Sequence, residues 1–168
     1  MINTSAQVFG SNRLPLLIPA EYLQKIRAQA EKDYPNETCG ILIGPKTGKE
    51  KITSIFSCHN VQDEYHTQDP VSFPRTARTA YFIAPTELFR IQKEARQKDC
   101  EIRVIYHSHV DAGAYFSEED QRIALSEGEP AYSEVSYLVI SVKEGRAKET
   151  VLYQWDIKSR SFTGRSLD

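Results

Sequence analysis

One stretch of this chain leaves the fold little freedom: the run IRVIYHSH at 102–109, seven further residues, then Ser117-Glu118-Glu119-Asp120. Isoleucine, valine and tyrosine in close succession read as a buried strand. Side chains two apart on a strand share a face, so His107 and His109 project together. The strand stops at Asp111-Ala112-Gly113, residues that favour turns. Ser117 suits a helix N-cap, which makes Asp120 the third helical residue. Helical side chains lean toward their own N-terminus, so Asp120 can reach back to the strand end. Two imidazoles and one carboxylate are therefore expected where a strand hands over to a helix.

The other elements are read from periodicity and punctuation. Residues 1–13 are polar and are expected to be flexible. A short strand is expected at 14–18. Pro19 suits the first turn of a helix that buries Leu23, Ile26 and Ala30 and ends near Pro35. The apolar run CGILIG at 39–44 reads as a buried strand, joined through a turn at 45–50 to a second strand at 51–59. Residues 60–79 show no periodicity and read as a long loop, functional or mobile. A strand at 80–84 precedes a helix opened by Pro85, with Leu88, Ile91 and Ala95 on its buried face. A short helix is expected at 117–126. Residues 135–142 and 149–156 form a hairpin about Glu144-Gly145-Arg146, and 159–167 either adds an edge strand or frays. Strands and helices mix without strict alternation. The expected class is α+β, a curved mixed or mainly antiparallel sheet flanked by helices, in one domain over 14–168.

Composition excludes several functions. A chain of 168 residues supports one hydrophobic core. Its 21 Lys plus Arg are balanced by 23 Asp plus Glu, with no basic run at either end, so nucleic acid is not an expected partner. No apolar stretch is long enough to span a bilayer, and the first residues lack a secretory apolar segment. A cytoplasmic location follows as the expectation. Cys39, Cys58 and Cys100 are odd in number and scattered, which argues against a disulfide framework or a cysteine zinc site.

Two histidines and an aspartate are three metal ligands, which leaves a fourth tetrahedral position for water, the pattern of catalytic zinc. Zinc lowers the pKa of its bound water from about 16 to roughly 7. Peptide hydrolysis also needs a group that takes the water proton and returns it to the leaving amine. Glu37, just ahead of the buried strand at 39–44, is the candidate for that base. The Ser117 hydroxyl could help stabilise a tetrahedral oxyanion.

These residues resemble the JAMM metalloproteases, also called the MPN or Mov34/PAD-1 family. That signature is a glutamate upstream of H-x-H, then seven residues, then S-x-x-D. Here it reads as Glu37, His107-Ser108-His109 and Ser117-Glu118-Glu119-Asp120, and PNETCGILIG is similar to the family's segment around its glutamate. The resemblance spans roughly residues 14–155 and is closest to compact prokaryotic members. It implies the family's α-β-α layered, cytidine-deaminase-like fold. It further implies one catalytic Zn2+ on His107, His109 and Asp120, with Glu37 as acid/base and Ser117 as oxyanion helper. The implied substrate is a ubiquitin-fold protein or its conjugate, including sulfur-carrier adducts, cut after the C-terminal glycines. Many members carry proline where this chain has Val110 and Phe116, a difference that bears on loop stiffness.

Each fragment alone has a blander reading. H-x-H is common on exposed strands, S-x-x-D is more often only a capping box, and a lone loop glutamate is usually solvated. His59 and His66 read as surface or packing residues, and Cys39 as a buried small hydrophobe. Tyr65, Phe73, Tyr81 and Phe82 read as core filling in preference to a partner surface. Glu118 and Glu119 are favourable first-turn acids. Two competing functions are a metal-free interaction scaffold, which the complete ligand set disfavours, and a mononuclear iron oxygenase, which lacks the expected long series of strands.

Overall fold

The structure is a computed structural model and describes residues 15–168. The expected flexible segment 1–13 and Leu14 lie outside the described residues. Helix α1 (Ala20–Asp33) follows Pro19 and buries Ile26 and Ala30. Strand β1 (Cys39–Pro45) forms a hairpin with β2 (Ser54–Cys58). Helix α2 (Gln62–Gln68) comes next, then α3 (Pro85–Gln97), with Pro85 in its first turn and Ile91 and Ala95 buried. Strand β3 (Cys100–Val110) leads to α4 (Glu118–Ala124). Two short strands, β4 (Leu125–Ser126) and β5 (Glu129–Pro130), precede β6 (Ser136–Lys143), β7 (Arg146–Asp156) and β8 (Ser161–Ser166).

The main sheet has six strands in the order β2-β1-β3-β6-β7-β8. Every pair is antiparallel except β3 and β6. Alternation along β1 sends Leu42 to one face and Ile41 and Ile43 to the other. The first face packs with Val104, Tyr106, Leu138 and Ile140 against Ile26 and Ala30 of α1. The second packs Cys39, Ile41 and Ile43 against Ile91 and Ala95 of α3. This is the α+β architecture expected, with helices on both faces of a mostly antiparallel sheet.

Gly40 is required by close packing. A Cβ there would collide with the Tyr106 ring and the Phe56 carbonyl oxygen. The Tyr106 hydroxyl in turn donates to Gln29 Oε1 at 2.7 Å, which ties the sheet to α1.

Several expectations are corrected. The strand expected at 14–18 reduces to a bridge between Leu17 and Lys51, so the expected strand at 51–59 begins only at Ser54. Residues 80–84 contribute only a bridge between Asn60 and Ile83. The presumed loop at 60–79 contains α2, which pattern could not reveal because only Gln62 of its seven residues is buried. The rest of that segment is pinned by side chains: Asp63 accepts from Ala77 N at 2.7 Å, and Gln62 Nε2 donates to the Arg75 carbonyl at 2.7 Å. The helix expected at 117–126 stops at Ala124, because Glu127 and Gly128 both take positive φ and close a tight β4–β5 hairpin. Glu144 and Gly145 do the same between β6 and β7. The segment at 159–167 forms an edge strand, β8.

Candidate metal centre

Strand β3 carries His107 and His109 on one face at its C-terminal end, both buried. Helix α4 begins with Ser117 as N-cap in a reciprocal capping box with Asp120. The serine hydroxyl accepts from Asp120 N at 3.0 Å, and Asp120 Oδ2 accepts from Ser117 N at 2.8 Å and Ser117 Oγ at 2.7 Å. The cap therefore aims the Asp120 carboxylate at the strand end. His107 Nε2 lies 3.2 Å from Asp120 Oδ1, and His109 Nε2 lies 3.4 Å from Asp120 Oδ2. The two Nε2 atoms are 3.1 Å apart.

These separations fit one divalent cation. Ligands bound to zinc at about 2.0–2.1 Å in a tetrahedron sit about 3.3 Å from one another. His109 Nδ1 lies 2.9 Å from the Gly113 carbonyl and so carries a proton, which means that in the neutral, metal-binding form of the ring the lone pair sits on Nε2. That lone pair faces the other imidazole nitrogen, an arrangement a shared cation relieves. Among the described residues, these three form the group of ligand atoms close enough to hold a metal.

The electrostatics follow the same geometry. Burial pulls the His107 imidazole below its ordinary pKa, against the raising effect of Asp120. For His109, burial also works downward, but Asp120, the Glu37 charge and the Gly113 carbonyl together carry it upward. Burial works to raise Asp120, but its hydrogen bonds with both imidazoles hold it well below the usual carboxylate range.

Glu37 reaches this face through strand register. Cys39 pairs with His107, and the ladder continues through Ser108 N to Thr38 O at 3.1 Å. One more step sets Glu37 opposite His109, and directly opposed residues share a face. Thr38 N donates to Ser108 Oγ at 2.8 Å, so the serine between the histidines locks the register from the other side. Glu37 is only 6% exposed. Burial pushes its carboxyl up to about 8; His109 and Arg75 oppose that rise, and Asp120 adds to it.

The loop between β3 and α4 is tied down residue by residue. Asp111 Oδ2 accepts from the Tyr34 hydroxyl at 3.0 Å, and its Oδ1 from Glu144 N at 2.9 Å. The Ala112 carbonyl accepts from Ser141 Oγ at 2.5 Å. The Ala114 carbonyl accepts from the Tyr153 hydroxyl at 2.7 Å. Phe116 stacks on Tyr153 and packs against Tyr137 and Phe162. An aromatic anchor and side-chain clamps thus hold this loop, in which Val110 and Phe116 stand in place of proline.

The structure thus brings His107, His109, Asp120, Ser117 and Glu37 to one place. Sequence reasoning missed Tyr81, whose ring stacks on His107 at 4.6 Å with planes 20° apart, in addition to packing with the α3 core. It also missed Asn60, whose carboxamide bonds the Glu37 carbonyl at 2.9 Å; a polar residue just after a strand carries no distinctive signal. Tyr65, Phe73 and Phe82 pack on one another, half-buried. His59 is exposed beside Glu64, and His66 lies 2.6 Å from the Phe73 carbonyl. Cys39 is buried in the core, where burial pushes its thiol far above the reactive range. A hollow of about 650 Å³ between α3 and residues 131–135 has none of the three ligands in its lining.

A family profile described as prokaryotic homologs of the JAB domain matches residues 19–158. The chain belongs to this family. The JAB-domain assignment agrees with the JAMM/MPN resemblance of the sequence and with the fold. Curated proteins named CysO-cysteine peptidase, from Mycobacterium bovis and Mycobacterium tuberculosis, are 27% identical over 139 residues, covering 83% of this chain and 82% of theirs. A solution structure of a Desulfitobacterium hafniense protein superposes with a TM-score of 0.60 at 20% identity, covering 87% of this chain and 86% of that one. A Salinibacter ruber protein gives 0.56 at 22% identity, with 89% and 87% covered. These two structural likenesses establish the fold alone.

Proposed function

We propose that this JAB-domain chain is a zinc-dependent peptidase or isopeptidase. It hydrolyses the bond after the C-terminal glycines of a ubiquitin-fold protein, either a ubiquitin-like modifier or a sulfur-carrier adduct. The observation that carries this reading is the meeting of two imidazole nitrogens 3.1 Å apart with the two oxygens of one carboxylate, 3.2 and 3.4 Å from them, and with a buried carboxyl in register beside them. The family and the peptidase named among its relatives support the same reading.

His107, His109 and Asp120 would hold the metal, which supplies Lewis-acid chemistry when bound: acidifying water and polarising a carbonyl oxygen. Glu37 acts as the base, taking a proton from water and returning it to the leaving amine. Burial raises the proton affinity of this carboxyl above the usual carboxylate range, and a bound cation would bring it back down toward neutral pH, the condition for efficient transfer in both directions. Ser117 keeps its hydroxyl on Asp120 in the resting site and would swing that proton to the oxyanion as charge develops. The three cysteines are free and buried, which suits a cytoplasmic enzyme, and no helix among the described residues is long and apolar enough to cross a membrane.

The decisive experiment incubates the zinc-loaded protein with ubiquitin-fold proteins bearing C-terminal extensions and reads intact mass. Cleavage after the glycines, abolished by chelator and by Glu37→Gln, is expected. Cleavage that survives Glu37→Gln at the wild-type rate removes Glu37 from the mechanism.

A further inference from the structure

Asn60 sits between β2 and α2, and its side chain makes four hydrogen bonds, the full capacity of a carboxamide. Its Nδ2 donates to the Glu37 carbonyl at 2.9 Å and to the Ala80 carbonyl at 3.0 Å. Its Oδ1 accepts from Gln62 N at 3.0 Å and from Phe82 N at 3.0 Å. Two of these partners, Ala80 and Phe82, flank Tyr81. One amide therefore grips the peptide units on both sides of Tyr81 and the carbonyl of Glu37 together.

Both gripped residues act on the metal centre. Glu37 is the buried carboxyl beside His109. Tyr81 is stacked on His107, and that contact matters because the two imidazoles are held differently. His109 is oriented by the hydrogen bond from Nδ1 to Gly113. His107 Nδ1 is buried and has no hydrogen-bond partner among the described residues. The plane of the His107 ring is thus set by the face of Tyr81 and by the Asp120 oxygen and His109 nitrogen around its Nε2, without the usual partner on the other nitrogen.

We propose that Asn60 is a positioning residue that holds Glu37 and Tyr81 against the metal-binding triad, acting on the base and on one ligand through a single side chain. This rests on the peptidase reading for the role of Glu37, whereas its effect on His107 does not require that reading. No other side chain fits the demand. Aspartate keeps two acceptors but cannot donate to the Glu37 and Ala80 carbonyls. Glutamine sets the amide one carbon further out, and alanine leaves four backbone groups without their partner.

The test compares wild type, Asn60→Asp and Tyr81→Leu as full-length chains. Zinc affinity is read by competition with a chromophoric chelator, the visible spectrum is read after cobalt(II) substitution, and kcat and KM are read on an extended ubiquitin-fold protein at saturating zinc. Groups that orient a metal ligand are typically worth about 10–100-fold in affinity or activity. Asn60→Asp is expected to weaken zinc about 10-fold, shift the cobalt spectrum, and lower kcat about 10–100-fold with KM changed by less than about threefold. Tyr81→Leu should reproduce the zinc and cobalt effects with a smaller loss in kcat, because Glu37 stays gripped.

A merely structural asparagine would lower the melting temperature but leave zinc affinity, spectrum and kcat per zinc-loaded molecule at wild-type values, and that result overturns the proposal. Should Asn60→Asp fail to fold, unchanged zinc affinity and cobalt spectrum in Tyr81→Leu overturn it equally. Should wild type bind zinc but cleave nothing, the peptidase reading fails, while altered zinc binding in either variant still upholds the positioning role.

Discussion

In the metal-free protein, Glu37→Gln should stabilise the fold, and by an amount that grows with pH. Glu37 is almost fully buried, and burial raises its carboxyl from 4.5 to about 8. A group whose folded pKa lies above its unfolded value contributes stability that is complete below the unfolded pKa and is lost as pH rises through the folded one. The window therefore runs from pH 4.5 to about 8. At pH 7 the unfolded chain has ionised this group over 2.5 pH units while the folded chain still binds its proton. At about 1.36 kcal/mol per unit, that is roughly 3 kcal/mol of lost stability.

Glutamine matches the shape of the protonated acid and cannot ionise, so Glu37→Gln removes the loss. At about 2–4 °C per kcal/mol for a chain of this size, the gain is roughly 6–12 °C in melting temperature at pH 7. At pH 4.5 the two proteins should melt together. The assay is thermal unfolding by circular dichroism in chelator from pH 4.5 to 8, in matched pairs so that the histidines and Asp120 titrate in both. Saturating zinc should narrow the gap, since a nearby cation favours the carboxylate. Parallel curves, with the same difference at pH 5 and pH 7.5, would refute the claim that burial governs this carboxyl.

Four further outcomes follow from the geometry. Asp120→Asn should weaken zinc binding at least about 100-fold in chelator competition, beyond what groups that only orient a ligand contribute. Zinc at about 1,000 times its dissociation constant should stabilise the wild-type fold by about 4 kcal/mol in calorimetry, and no shift on adding zinc argues against the site. Phe116→Ala should cost about 2–3 kcal/mol in denaturant unfolding, below the full burial range because the ring is only partly covered, and a neutral result would mean that the β3–α4 loop is held without it. Gly40→Ala should cost about 3 kcal/mol or more, since the new Cβ meets a backbone carbonyl as well as the Tyr106 ring; a fold as stable as wild type would show that β1 can shift.

The elements with strong periodicity were legible in the sequence: α1 and α3 from their apolar i, i+3, i+7 residues, of which the last two in each are buried, β1 and β3 from their apolar runs. What failed is what depends on partners distant in sequence. Leu17 and Ile83 make single bridges to Lys51 and Asn60, partners too far off in sequence for a local pattern to show. Helix α2 has one buried residue and is held by Asn60 and Asp63, contacts that no local pattern announces. The convergence of His107, His109 and Asp120 was legible because strand alternation and helix capping each fix a direction within a few residues. Glu37 needed the β1–β3 register to be brought beside them. Tyr81 was seen as an aromatic of the core, and its role on His107 appears only when 80–83 is laid across the sheet end.

The position of the candidate metal centre is a consequence of topology. Strands β3 and β6 are the one parallel pair in the main sheet. Parallel neighbours cannot be joined by a hairpin; the chain must leave the end of the first strand and cross over before entering the second. Helix α4 is part of that crossover, so its N-terminus is delivered beside the C-terminal end of β3, where His107 and His109 lie. On the other side, β1 runs antiparallel to β3, so the segment entering β1 arrives at the same end and brings Glu37. Strand β3 is thus the point where the sheet changes from antiparallel to parallel pairing, and the segment entering β1 and the crossover leaving β3 meet at its C-terminal end. An antiparallel β3–β6 pair joined by a tight turn would leave the two histidines without a carboxylate opposite them.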